Sequence, residues 1–137
     1  MKIMCDTNVI LDVLLEREPF VEDSCKLLRL CEEHRVDGFV SASSVTDIFY
    51  LVRKHTHSID LAYKAVGKLL EIVKVCSVTN DDVLTAFQRR AKDFEDCLVA
   101  TCAKSIHCES IITRNKKDFE EFGILLLTPT EFLQQFS

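Results

Sequence analysis

Five short apolar segments, set apart by longer stretches of helical periodicity, constrain this chain more than any other feature. They are Lys2 to Cys5, Phe39-Val40, Lys74 to Val78, Ser110 to Thr113 and Ile124 to Leu127. Each is the size of a buried strand and too brief for an independent helix. Between them the order reads β-α-α-β-α-α-β-α-α-β-α-β-α. Short apolar strands alternating with helices predict an α/β fold, with a short, mostly parallel sheet of roughly four or five strands and helices on both faces. A length of 137 residues predicts one domain spanning 1–137, with room for a proper core.

The intervening helices have recognisable punctuation. One runs from Asn8 to Arg17, where Glu18-Pro19 breaks it. The next, Val21 to His34, carries Val21, Cys25, Leu28 and Cys31 at helical spacing, a stripe suited to the core or to a second copy of the chain. Asp37-Gly38 reads as a turn. Ser41-Ala-Ser43-Ser44 offers capping hydroxyls to a helix reaching His55, and Ile59 to Ile72 follows. Thr79-Asn-Asp-Asp82 caps a helix to Arg90, Asp93 to Ile106 is helical, and Lys116 to Phe122 is a short helix closed by Gly123. Thr128-Pro129 opens the last helix in the usual cap-then-proline order.

Composition narrows the function. No apolar run approaches the length of a membrane span, and Asp6, Asn8 and Asp12 interrupt what would otherwise be a secretory leader. A cytoplasmic protein with no membrane partner is expected. Seven cysteines, an odd number without a CxxC pair, point to reduced thiols used as small core residues rather than to disulfides or zinc. A net charge of −5 excludes a generic nucleic-acid binder, since that affinity comes from neutralising phosphates. Contact with RNA or DNA would need a local basic patch or bound cations.

Isolated acids fall at structural punctuation. Asp6 ends the first strand, Asp47 lies early in an apolar helix, Asp96 begins another, and Asp118 follows a later strand. Each has an ordinary explanation: Asp6 as a helix cap, Asp96 with Asp93 and Glu95 as complements to a helix dipole, Asp118 as surface. Thr7 and Asn8 can cap as well as Asp6, which frees Asp6 to point outward. Tyr50 and Leu51 flank Asp47, so its helix reads as apolar nearly all round and buried. In a parallel sheet the strand C-termini and the starts of the following helices share one edge, which would gather Asp6, Asp47, Asp96, Asn115 and Asp118. Carboxylates crowded at one edge repel unless protonated or metallated, and hard oxygen donors suit Mg²⁺ or Mn²⁺.

The segments Asp6-Thr-Asn-Val-Ile-Leu-Asp12, Asp93-Phe-Glu-Asp-Cys-Leu-Val-Ala100 and Ile112-Thr-Arg-Asn-Lys-Lys-Asp-Phe119 make the chain similar, over essentially its whole length, to PIN domains of the VapC toxin kind. The resemblance implies a Mg²⁺- or Mn²⁺-dependent endoribonuclease, the toxin of a toxin–antitoxin pair, with an antitoxin partner and a homodimeric state. It places the family's acids on Asp6 and Asp96, and the second, usually Glu, on Asp47, one methylene shorter. The fourth polar position falls on Asn115 or Asp118. Catalytic and metal-holding roles are thus implied for Asp6, Asp47, Asp96 and Asp118. Substrate contact is expected from Asn8, Arg114, Asn115 and Lys116, with Lys117, Arg53, Lys54, Arg89, Arg90 and Lys92 as further cations. Two other readings stand beside it. One is a catalytically weak PIN-like binding or scaffolding module, its metal site degraded at Asp47. The other, a haloacid-dehalogenase-type phosphatase, needs an acid where Asn8 stands.

Overall fold

The computed structural model describes residues 1–136. Its elements are β1 (Lys2–Cys5), α1 (Thr7–Leu14), α2 (Val21–Glu32), β2 (Asp37–Ser41), α3 (Ala42–Thr56), α4 (Ile59–Ile72), β3 (Lys74–Cys76), α5 (Asn80–Arg89), α6 (Phe94–Ser105), β4 (Ser110–Ile112), a 3-10 helix (Lys116–Phe122), β5 (Leu125–Leu127) and α7 (Pro129–Gln135). The five strands form one sheet in the order β3-β2-β1-β4-β5, every neighbouring pair parallel. The predicted α/β class, element order and strand number match this architecture.

Strand periodicity divides the core into two layers. Side chains alternate across a strand, so neighbours in sequence serve opposite faces. Ile3 and Cys5 of β1 and Ile112 of β4 pack with α1, α2, α3 and α4, alongside Val9, Leu27, Ile48 and Leu69. Met4 and Ile111, one residue out of phase, pack with α5, α6 and the 3-10 helix, alongside Cys97, Cys102 and Phe119. Each of these large aliphatic chains, fully buried, contributes about 1.5–3 kcal/mol. Only part of the α2 stripe is core: Leu28 and Cys31 are buried, with Leu27 beside them, beneath the sheet's first face, whereas Val21 and Cys25 are half-buried. All seven cysteines are free thiols and six are buried, in line with their expected use as core residues.

Four local expectations change. Asp37-Gly38 is not a turn but the first half of β2, in register with Lys2 and Ile3. Glycine is required there because a Cβ at position 38 would lie 2.5 Å from Cys31 Sγ of α2. The third strand stops at Cys76 rather than Val78, and α1 stops at Leu14 rather than Arg17. The α3 helix is not buried all round. Tyr50 is 60% exposed and Leu51 41%, and the buried face is confined to Ser44, Ile48 and Val52.

The order β3-β2-β1-β4-β5 means that the chain leaves β1 toward one edge and later returns to β1's other side at β4. The crevice at the C-terminal ends of β1 and β4 is therefore the topological switch point, where ligands of open α/β sheets bind.

Candidate active site

The strand β1 delivers Asp6 to that crevice, and α1 begins on it. Asp6 is the N-cap of α1: its Oδ1 accepts from the Thr7 backbone N–H at 2.8 Å. The cap belongs to Asp6 and not to Thr7 or Asn8, so the acid is held rather than left free. Its second oxygen, Oδ2, accepts from the Thr113 hydroxyl at 2.8 Å, a bond from just beyond β4. Both bonds stabilise the carboxylate, and Arg114 nearby does the same, yet burial outweighs them and pushes the Asp6 carboxyl above its ordinary range. Each oxygen keeps a second lone pair open to a further ligand.

Asp6, Asp47, Glu95 and Asp96 line one open cleft of about 430 Å³, together with Thr7, Tyr50 and Leu51. Asp47 reaches it from the second turn of α3, Glu95 and Asp96 from the first turn of α6. The Asp96 carboxyl is pushed up to about 7, first by burial and then by the negative charges of Asp93, Asp6 and Asp118. Glu95 is also pushed up to about 7, first by the hydrogen bond it shares with Asp47, then by burial and by the charges of Asp47, Asp93 and Asp96. Near neutral pH this group therefore retains protons that ordinary carboxyls would have lost.

The outer members have distinct positions. Asp118 is exposed on the 3-10 helix, and its charge is felt by both Asp6 and Asp96. Asn115 stands at the N-cap position of that helix without a side-chain capping bond, and its backbone N–H donates to Thr113 Oγ1 at 3.0 Å. Asp93, counted from sequence with the first-turn acids of α6, is the cap of that helix and accepts from the Asp96 N–H at 2.9 Å.

Two of the cations expected to meet substrate are engaged within the domain. Arg114 Nε donates to Asp12 Oδ2 at 2.6 Å and its Nη2 to Asp12 Oδ1 at 3.1 Å, and the guanidinium lies 4.0 Å from the centre of the Phe20 ring. Lys116 is bound to both oxygens of Glu131 at 2.9 and 3.1 Å. Their first role is to tie the β4 exit to α1 and α7.

Glu95 and Thr113 escaped the sequence reading. Glu95 sits next to Asp96 in a first turn where acids are ordinary, so spacing cannot separate it. Thr113 carried one usable signal, a hydroxyl directly after the apolar pair Ile111-Ile112 that ends a strand.

The donor set suits a hard divalent cation. It consists of carboxylates whose mutual repulsion a cation relieves, and Asn8 Oδ1, two residues beyond Asp6, is a buried acceptor without a hydrogen-bond partner among the described residues. The acids line the cleft without closing on one point: among the described residues no three His, Cys, Asp or Glu side chains form a ready-made cation cage.

Residues 2–117 match the family model for the PIN domain. The chain is 27% identical over 139 aligned positions to Ribonuclease VapC1 of Aquifex aeolicus (strain VF5), covering 99% of this chain and 96% of that protein. Its fold superposes on VapBC2 from Rickettsia felis bound to a promoter DNA fragment, with a TM-score of 0.75, 16% identity and coverage of 93% and 98%. It also superposes on Mycobacterium tuberculosis VapC20, a Sarcin-Ricin loop cleaving toxin, with a TM-score of 0.71, 16% identity and coverage of 90% and 96%.

Proposed function

This chain belongs to the PIN domain family, and from that premise we propose that it is a divalent-metal-dependent endoribonuclease, the toxin of a type II toxin–antitoxin pair. The observation that carries the reading is the gathering of Asp6, Asp47, Glu95 and Asp96 in one cleft at the sheet's switch point. The name of the Aquifex relative supports a ribonuclease, and the VapBC structures support an antitoxin partner. A homodimer and a cytoplasmic setting belong to the same proposal. No helix among the described residues is long and apolar enough to cross a membrane.

In this reading Asp6 and Asp96 hold Mg²⁺ or Mn²⁺, with Asp47 and Asp118 completing the charge around it. When bound there, such an ion would supply Lewis-acid stabilisation of the phosphodiester and would lower the pKa of water. The residues of the chain do the rest. Thr113 fixes the rotation of the Asp6 carboxylate through Oδ2. Asp47 and Glu95 share a hydrogen bond near neutral pH, which positions a carboxyl able to take up or release a proton at the cleft wall. Asn8 and Asn115 offer neutral amides beside the scissile group.

The test is cleavage of a structured RNA by purified protein with Mn²⁺, with EDTA, and with Asp6→Asn. Activity is expected with Mn²⁺ alone. Cleavage that persists in EDTA, or that Asp6→Asn leaves intact, sinks the proposal.

A further inference from the structure

The exposed face of α3 changes character along its length. Asp47 stands at the acidic cleft; Tyr50 and Leu51 follow one turn later, and Arg53 and Lys54 the turn after, with His57 closing the helix. Asp47, Tyr50, Leu51 and Lys54 are spaced i, i+3, i+4, i+7 and share one side of the helix. At 1.5 Å rise per residue, Lys54 lies about 10 Å along the axis from Asp47.

Tyr50 is a shared wall. It bounds the acidic cleft on one side and, on the other, a depression of about 840 Å³ that Arg53, Lys54 and His57 also line. Leu51 divides the same acidic cleft from a second hollow in which Lys54 and His57 recur beside Arg17 and His55. Among the described residues neither Arg53 nor Lys54 enters a salt bridge. Complementing the helix dipole explains a cation in the last turn of α3. It does not explain why such cations border hollows that share their walls, Tyr50 and Leu51, with the acidic cleft. Asp60, in the first turn of α4, is the one acid in the larger depression.

We propose that single-stranded RNA runs along this face of α3, its phosphates over Arg53 and Lys54 and a base against the Tyr50 ring, and enters the acidic cleft past Tyr50. This rests on the ribonuclease reading and names its substrate path. A chain of net charge −5 with carboxylates at its centre needs a local cationic track to hold phosphate. An exposed aromatic ring beside such a track selects unpaired bases, because only those offer a free face for stacking.

The experiment is fluorescence anisotropy of a labelled single-stranded RNA, titrated with the full chain in EDTA across a range of salt. Arg53→Gln/Lys54→Gln is expected to weaken binding about tenfold and to flatten the log–log salt slope by roughly 1.4, about 0.7 per lost contact. Tyr50→Ala is expected to cost about fivefold or more, with Tyr50→Phe restoring it. Lys26→Gln/Arg29→Gln on α2, which lowers net charge equally outside these hollows, should bind as wild type does. Should the double glutamine variant unfold in a thermal melt, Lys54→Gln alone reads the same path with a slope change of about 0.7. An unchanged double variant, an equal loss in the α2 control, or no wild-type binding overturns the path; an unchanged variant is also what a protein occupant of the depression would give. Cleavage with Mn²⁺ but no effect of the variants on binding sinks the path and keeps the ribonuclease. Variant-sensitive binding without any cleavage does the reverse.

Discussion

Arg114 grips Asp12 with both arms of its guanidinium, Nε at 2.6 Å and Nη2 at 3.1 Å, across a sequence separation of 102 residues. Asp12 is wholly buried in the middle of α1, and its other cation, Arg17, is 3.9 Å away. The pair locks the exit of β4 to the helix that begins on Asp6. Removing one partner leaves a buried charge behind, which is why the bond matters more than a surface bridge.

Arg114→Ala is therefore expected to lower stability by about 3 kcal/mol in urea unfolding. Arg114→Lys should recover only part of this, because an ammonium cannot reproduce the two-armed geometry. A loss below about 0.5 kcal/mol would show that the pair behaves like an exposed one.

The cleft acids give the metal-free protein a pH dependence of known sign. The Asp96 and Glu95 carboxyls are pushed up to about 7, above their unfolded values. Their contribution to stability is fully present below the ordinary carboxylate range and is lost as pH rises through about 7. The apo protein should accordingly lose Tm from these groups between the ordinary carboxylate range, about pH 4, and about pH 7, and Mn²⁺ should raise Tm more at the neutral end, where the acids become charged. Differential scanning fluorimetry with and without Mn²⁺ measures both; a Mn²⁺ shift equal at the two ends contradicts the assignment.

Thr113 holds Asp6 by its hydroxyl, and that bond works against the upward push of burial. Thr113→Val keeps the shape and deletes the donor. The Asp6 carboxyl should then rise further, moving the pH midpoint of Mn²⁺ binding upward in calorimetric titrations. Thr113→Ser should restore the midpoint; if valine and serine behave alike, the hydroxyl is not what orients Asp6.

Gly38 and Cys31 meet where β2 passes under α2. A methyl at position 38 would sit 2.5 Å from Cys31 Sγ and 3.3 Å from Val73 Cγ1. Gly38→Ala is expected to cost about 1–3 kcal/mol by overpacking. Adding Cys31→Ala should relieve part of that, so that the double variant is less destabilised than the sum of the singles. Simple additivity in a denaturant series would rule out this contact as the cause.

Much of the site was legible because its acids fall where elements change. A carboxylate after an apolar strand, as at Asp6, and one at a helix start, as at Asp96, are visible as breaks in periodicity. Glu95 was not, since nothing in its spacing says which neighbour in a first turn will face Asp47. Nor could spacing tell that Arg114 and Lys116 would be bound by Asp12 and Glu131, partners brought from distant elements.

The alternation of apolar periods determined the element order and a sheet covered on both faces, because burying both faces of each central strand and one face of each helix leaves few arrangements. It also marked Asp6 and Asp96 as acids at an edge. Only the tertiary structure decided that β4 returns beside β1, and with that which carboxylates share a cleft, which cations are already paired, and that α3 turns Tyr50 and Leu51 outward. Those outcomes depend on contacts between residues far apart in the chain, and local propensity carries no information about them.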